Sequence, residues 1–207
     1  MSLDFKNFLE LRENKNKGLE KLPERKTELV EHTLFIDSRN RNRQIYTSTA
    51  QFALKIDSGT NTDATINHKY RNILEIYLTS TVLPIKVKEH PYIILEIPEL
   101  NASNVGGTNN LLDKAFAILI PETHHNDGAF VNSTVHYVDN HKHVYKPPLA
   151  SLPQTLTITL YDPNGNILDT GVDNAYTLAV KNTVQTFFII KVICKENSFD
   201  SINSRIV

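Results

Sequence analysis

The residues best equipped for chemistry are a set of histidines, one cysteine and a run of arginines. Five of the eight histidines, His124, His125, His136, His141 and His143, fall within one segment. On a strand His141 and His143 would share a face, a workable spacing for two ligands of one metal ion. His124, His125 and Asp127 could add further ligands. The surrounding residues, THHNDGAFVNSTVHYVDNHKHVYKPP, weigh against this. They are rich in Asn, Asp, Lys and Pro and read as exposed loops and an edge hairpin. They contain no HExxH pair, and no cysteine stands nearby. At an interface such histidines would load positive charge between about pH 5 and 7.

Cys194 lies in the apolar run IIKVICKE and shares a strand face with Ile190 and Val192. That placement reads as a buried small hydrophobe, not a nucleophile. A lone cysteine also excludes an internal disulfide and any cysteine-cluster zinc site, and it suits a reducing compartment. The chain has no GxSxG, no SxxK and no glycine-rich phosphate loop. Gly106 and Gly107 sit in NASNVGGTNN, which reads as a mobile loop. Glu96 and Glu99 flank a strand end and a proline, where surface placement explains them. No catalytic residue, no metal site and no cofactor is expected, and an enzyme is disfavoured.

The arginines form one motif, Asp37-Ser38-Arg39-Asn40-Arg41-Asn42-Arg43. It supports two readings. In the first it is a structured turn: Asp37 or Ser38 bonds backbone N–H groups, and Arg39 or Arg41 clamps a carboxylate or chain carbonyls with its fork. In the second it is a contact patch for a neighbouring subunit or an anionic ligand. Nucleic acid is not an expected partner. The basic run is short, lacks interleaved aromatics, and belongs to a chain of net charge -1.

The elements that must position these residues are strands. The 207 residues include 21 Asn and 19 Thr against 7 Gly and no Trp. Thr suits pleated, half-buried surfaces and Asn suits turns. Extended runs are expected at Thr33–Asp37, at QFALKID with Phe52, Leu54 and Ile56 inward, and at Asn72–Leu83. Others are expected at Tyr92–Ile97, at Ala115–Ile120 closed by Pro121, and at Phe130–Val138. The last are Thr155–Leu160, an alternation at Tyr176, Leu178 and Val180, and Val184–Cys194. Gly165 in YDPNGNI is expected to take positive φ in a turn. No strand–helix–strand unit is visible, which disfavours a doubly wound parallel sheet. The expected fold is all-β, a single jelly-roll sandwich of about eight strands over 32–207.

Residues 1–31 differ from the rest. They carry seven Lys/Arg and seven Asp/Glu, and Leu3, Phe5, Phe8 and Leu9 give an apolar set at helical spacing near the tip. They read as an extended or short-helical, charged N-terminal arm that orders against a partner. No stretch reaches the ~18 apolar residues of a spanning helix, so no direct membrane span is expected. The first residues lack a basic-then-apolar secretory pattern, so no export signal is expected.

The segment TLFIDSRNRNRQIYTSTAQFALKID resembles an N-terminal signature of structural proteins of large nucleocytoplasmic DNA viruses, the giant, chlorovirus-like group. Ile36 to Asn42, Tyr46 and Phe52 carry that likeness. Thr47 stands where the pattern usually has Pro, and Asn40 where it more often has Asp. Later blocks follow in similar order: NILEIYLTSTVLP, PYIILEIPEL, FAILIPE and SLPQTLTITLYDPNGNIL. The resemblance covers roughly residues 33–170. It implies a minor virion component with a jelly-roll domain set in an icosahedral shell, assembled in the host cytoplasm. A single jelly roll looks like the penton, or five-fold vertex, protein, closing as a homopentamer. The alternatives are a minor capsid cement protein beneath the major capsid shell and a carbohydrate-binding jelly-roll module. The implied partners are further copies of the chain, the major capsid protein and other minor capsid proteins. Leu3, Phe5, Phe8, Leu9, Arg39, Arg41, Arg43 and Tyr46 are the candidate interface residues.

Overall fold

A computed structural model of the chain describes residues 27–56, 66, 68–102, 106–122, 130–134, 142–171, 173 and 180–197. The larger of its two compact units is Leu29–Glu196. The strands are β1 (Thr27–Asp37), β2 (Gln51–Lys55), β3 (Arg71–Pro84), β4 (Ile93–Glu96) and β5 (Ala117–Glu122). They continue with β6 (Phe130–Thr134), β7 (His143–Ser151), β8 (Thr155–Tyr161) and β9 (Phe187–Asn197). Among the described residues the only helical pieces are 3-10 turns of three to five residues.

The pairing is nested. β4 pairs with β5, β3 with β6 and β2 with β8, each antiparallel, and β1 lies beside β9. The chain is therefore one long ribbon doubled back between β4 and β5. The ribbon rolls up so that β9 joins β3 and β8 joins β4. Two sheets result, β1-β9-β3-β6 and β2-β8-β4-β5, in jelly-roll order. β5 joins them at one side. Its Ala117, Ile118 and Leu119 pair with β4, and its Ile120, Pro121 and Glu122 pair with β6. The opposite side, between β1 and β2, has no such bridge among the described strands.

Alternation builds the core. In β8, Leu156, Ile158 and Leu160 turn inward. They meet Phe52 and Leu54 of β2 and Leu95 of β4, and the other sheet contributes Ile36, Ile73, Ile76, Phe188, Ile190, Val192 and Cys194. All belong to one buried cluster. Cys194 thus sits on the inner face with Ile190 and Val192, as expected, and burial pushes its thiol up to about 11.

The all-β jelly roll of about eight strands holds, with three corrections of detail. β1 begins at Thr27, not Thr33. β5 does not end before Pro121, which pairs with Ser133. The region of β7 was expected as exposed loops and an edge hairpin, and Pro147 and Pro148 bring no backbone donors. It nevertheless pairs with β3, and a register shift between Ile73 and Glu75 loops the prolines out of the ladder. The alternation expected at Tyr176 and Leu178 lies outside the described residues, as do Val135 and Tyr137.

Candidate functional site

The Asp37–Arg43 motif leaves the end of β1 and crosses the open side of the sandwich toward β2. The first bonds are local. Asp37 accepts from the Arg39 backbone N–H at 2.9 Å and takes the Arg39 side chain through Nε at 2.7 Å and Nη2 at 2.5 Å. Ser38 is buried and stitches the turn to β9's approach. Its backbone N–H donates to the Thr186 carbonyl at 3.0 Å, its hydroxyl donates to Gln185 Oε1 at 2.8 Å, and the Thr186 N–H donates back at 2.9 Å.

Arg41 is the node of this network. Its Nε donates to the Tyr46 carbonyl at 3.0 Å. Its Nη1 donates to the Ser38 carbonyl at 2.8 Å and to Gln185 Oε1 at 3.1 Å. Its Nη2 donates to the Asp173 carbonyl at 2.7 Å and to Asp173 Oδ2 at 3.0 Å. A guanidinium has five N–H donors in one plane, and all five find acceptors here. The Arg41 and Asp173 side chains are both 0% exposed. Asp173 also accepts from Arg43 Nη2 at 2.9 Å and Gln185 Nε2 at 2.8 Å. Burial alone would raise its carboxyl, but the hydrogen bonds from Gln185 and Arg41 and the charge of Arg41 outweigh it, so Asp173 titrates below the usual carboxylate range. The Thr49 hydroxyl extends the network to the Val184 carbonyl at 2.5 Å and the Thr170 hydroxyl at 2.6 Å.

The approach to Asp173 depends on Gly171, which has φ of +101°. A Cβ there would stand 2.8 Å from Val184 Cγ1. Gly171→Ala is expected to lower the free energy of unfolding by about 1–3 kcal/mol, read by urea denaturation.

These contacts sort the candidate residues. Arg41 is a correction: with its side chain fully buried and every donor engaged, it holds the fold instead of facing a neighbour. Arg43 has 18% of its side chain exposed and points at the same carboxylate. Tyr46 packs partly buried against the core and contributes its carbonyl. Arg39 stays exposed and lines a shallow groove on the outer face with Val82, Asn182 and Phe187. Leu3, Phe5, Phe8 and Leu9 lie outside the described residues. The turn reading of the motif thus accounts for Asp37, Ser38 and Arg41. Asp173, Gln185 and Thr186 were not foreseen, and nothing in their local sequence marks them.

Other exposed groups were also missed. Leu29 (64%) and Phe35 (60%) stand out from β1, and Ile45 (68%) from the turn. Phe35 stacks on Phe187 with centroids 6.2 Å apart. An aromatic and histidine cluster sits at the middle of β1. His32 lies 5.2 Å from His68 and 5.5 Å from Tyr70 by ring centroids, and its Nε2 is 3.3 Å from Glu196 Oε1. Desolvation and the neighbouring His32 charge hold His68 below the usual imidazole range, against a weaker pull from Glu196. The folded chain therefore resists protonating His68. Its contribution to stability is present above the ordinary imidazole value of about 6.5 and is lost as pH falls through the lowered folded value. The denaturation midpoint should be lower near pH 5 than near pH 7.5, and His68→Asn should shrink the difference.

Of the clustered histidines, His124, His125, His136 and His141 lie outside the described residues. His143 corrects the loop expectation. It is buried in β7, stacks on Phe116 at 4.5 Å and lies 2.8 Å from the Phe116 carbonyl through Nε2. Glu96 accepts from the Tyr161 hydroxyl at 3.0 Å, and Glu99 accepts from the Thr157 N–H at 2.9 Å. Both tie the end of β4 to β8. No family model matches the chain, and no curated protein matches it.

Proposed function

We propose that the chain is a structural subunit of the capsid of an icosahedral large DNA virus, and that it forms the five-fold vertex. The observation that carries this reading is the position of the Ile36–Phe52 segment. The residues that resemble the viral signature form the clamp of a jelly roll, joining β1 to β2 through the Arg41 network. A rigid single sandwich with a locked open side suits a repeated shell position, where many identical contacts require one fixed shape. Exposed Arg39, Phe35 and Ile45 lie on or beside that clamp, and Phe35 stacks on Phe187, so the clamp offers a neighbour both a cation and apolar groups. The charged segment before β1, with Leu3, Phe5, Phe8 and Leu9 near its tip, is the part assigned to reach a neighbouring subunit.

In purified particles this reading places the chain at fixed stoichiometry to the major capsid protein, by quantitative mass spectrometry. A chain abundant in infected cells and missing from particles would contradict it. Removing residues 1–26 is expected to abolish incorporation, and full occupancy of the truncated chain would sink the role given to that segment.

The under-shell cement position remains the second reading because of one observation. Two large apolar residues on the outer side of β1, Leu29 and Phe35, stand exposed, a surface for a neighbouring shell protein to cover.

A further inference from the structure

We propose that β1 is a self-association edge, on which two copies pair their β1 strands antiparallel about a two-fold axis at His32. Among the described residues β1 ends its sheet, with β9 on one side and no strand on the other. An edge strand exposes backbone donors and acceptors, and chains that stay apart blunt such edges with Lys, Pro or bulges. The sequence of β1, TELVEHTLFID, contains neither Lys nor Pro over its 11 residues, and its outward carboxylates Glu31 and Asp37 are paired with Lys191 and Arg39.

The register follows from the faces. Leu34 and Ile36 are buried while Glu31 and Phe35 are exposed, so odd-numbered residues face outward. Residues opposite one another in an antiparallel pair point to the same side of the sheet. A two-fold pairing that continues the sheet must therefore centre on a residue. Centred on His32, Leu29 stands opposite Phe35 twice, Val30 opposite Leu34, and Glu31 opposite Thr33. Centred on Glu31, two carboxylates oppose each other and Leu29 meets Thr33. Centred on Thr33, Glu31 faces Phe35 and Leu29 faces Asp37. Among the registers that pair about nine or more residues of β1, only the one centred on His32 matches the exposed apolar residues with each other and keeps like carboxylates apart. The fit is of β1 to itself, which makes the occupant a second copy. Lys191 Nζ lies 2.5 Å from Glu31 Oε1, so the nearest carboxylate enters the contact already paired.

This goes beyond the vertex reading, whose ring contact is heterologous, and adds a second, isologous surface. The test is a Leu29→Cys/Phe35→Cys double variant of the whole chain, oxidised mildly beside each single variant. Within one copy the two positions lie six residues apart on an extended strand, about 20 Å, far beyond the ~7 Å limit for a disulfide. Any link joining them is therefore between copies. Cys194 is buried, so the background is low. The expected result is covalent dimers at least about ten-fold more abundant in the double variant than in either single variant. The unsubstituted chain should sediment as even-numbered species, a pair or two five-membered rings joined through β1, that Phe35→Lys splits at that contact. Equal linking in single and double variants, or no even-numbered species, would overturn the proposal. Five-membered rings without covalent dimers would defeat the two-fold pairing and leave the vertex reading standing. Covalent dimers without any five-fold species would do the reverse.

Discussion

Arg41→Ala should remove about 3–5 kcal/mol of folding stability, because it takes one of the two cations from the buried Asp173 carboxylate and strips a donor from Gln185 Oε1 and from the Ser38, Tyr46 and Asp173 carbonyls. That is a large share of the ~5–15 kcal/mol available to a typical domain. The size follows from the geometry. Arg41 gives all five of its N–H groups to Tyr46, Ser38, Gln185 and Asp173, and neither it nor Asp173 has any side-chain exposure. Arg41→Lys should recover little, since a point charge cannot reproduce a planar fork on acceptors from four residues. Equilibrium denaturation in urea reads both. A loss below about 1 kcal/mol, the scale of a surface ion pair, would show that the network is solvated. The Asp173 carboxyl adds an acid limit. Its folded value is lowered, so its contribution is full above the ordinary carboxyl value of about 4 and is lost as pH falls through the lowered one.

Phe52→Ala is the second large effect, at about 3–5 kcal/mol. Phe52 is 0% exposed, and its β2 register against Ile158 places it between the two sheets. Gln51, one residue earlier on the same strand, faces out opposite Thr159. Gln51→Ala should stay within about 0.5 kcal/mol. Two adjacent substitutions with such different outcomes test the face assignment of β2 and the sandwich built on it. Equal losses at both positions would mean that β2 does not present one buried face.

What was legible depended on how local the cause is. The alternation of Phe52 and Leu54, the inward Cys194, and the Asp162–Gly165 turn are set by neighbours in sequence. In that turn Asp162 Oδ1 accepts from the Asn164 and Asn166 N–H groups at 2.8 and 2.9 Å, and Gly165 takes φ of +86°. The partners of Arg41 are not local. Asp173 and Gln185 stand 132 and 144 residues away, and an Asp or Gln in a loop carries no mark of a buried destination. β7 was hidden for a different reason. Its prolines contradict a strand by propensity, and only the long neighbour β3 lets the ladder loop past them. His143 was misplaced with it. The exposed pair on β1 was obscured because Leu29 lies among the charged residues assigned to the arm, where an apolar side chain looks incidental.

The folding predictions and the assembly reading meet at the clamp. If the Arg41 network fixes the open side, then a substitution that loosens it should weaken assembly at temperatures where the monomer is still folded. Arg39, whose side chain bonds Asp37 and stays exposed, should instead change assembly with little effect on unfolding.

The most direct measurement is the rotational symmetry of assembled particles of the 207-residue chain, by native mass spectrometry and single-particle electron microscopy. A closed five-fold ring is the predicted result. A chain that stays monomeric at every concentration, alone and with the major capsid protein, would contradict the assignment as a capsid subunit.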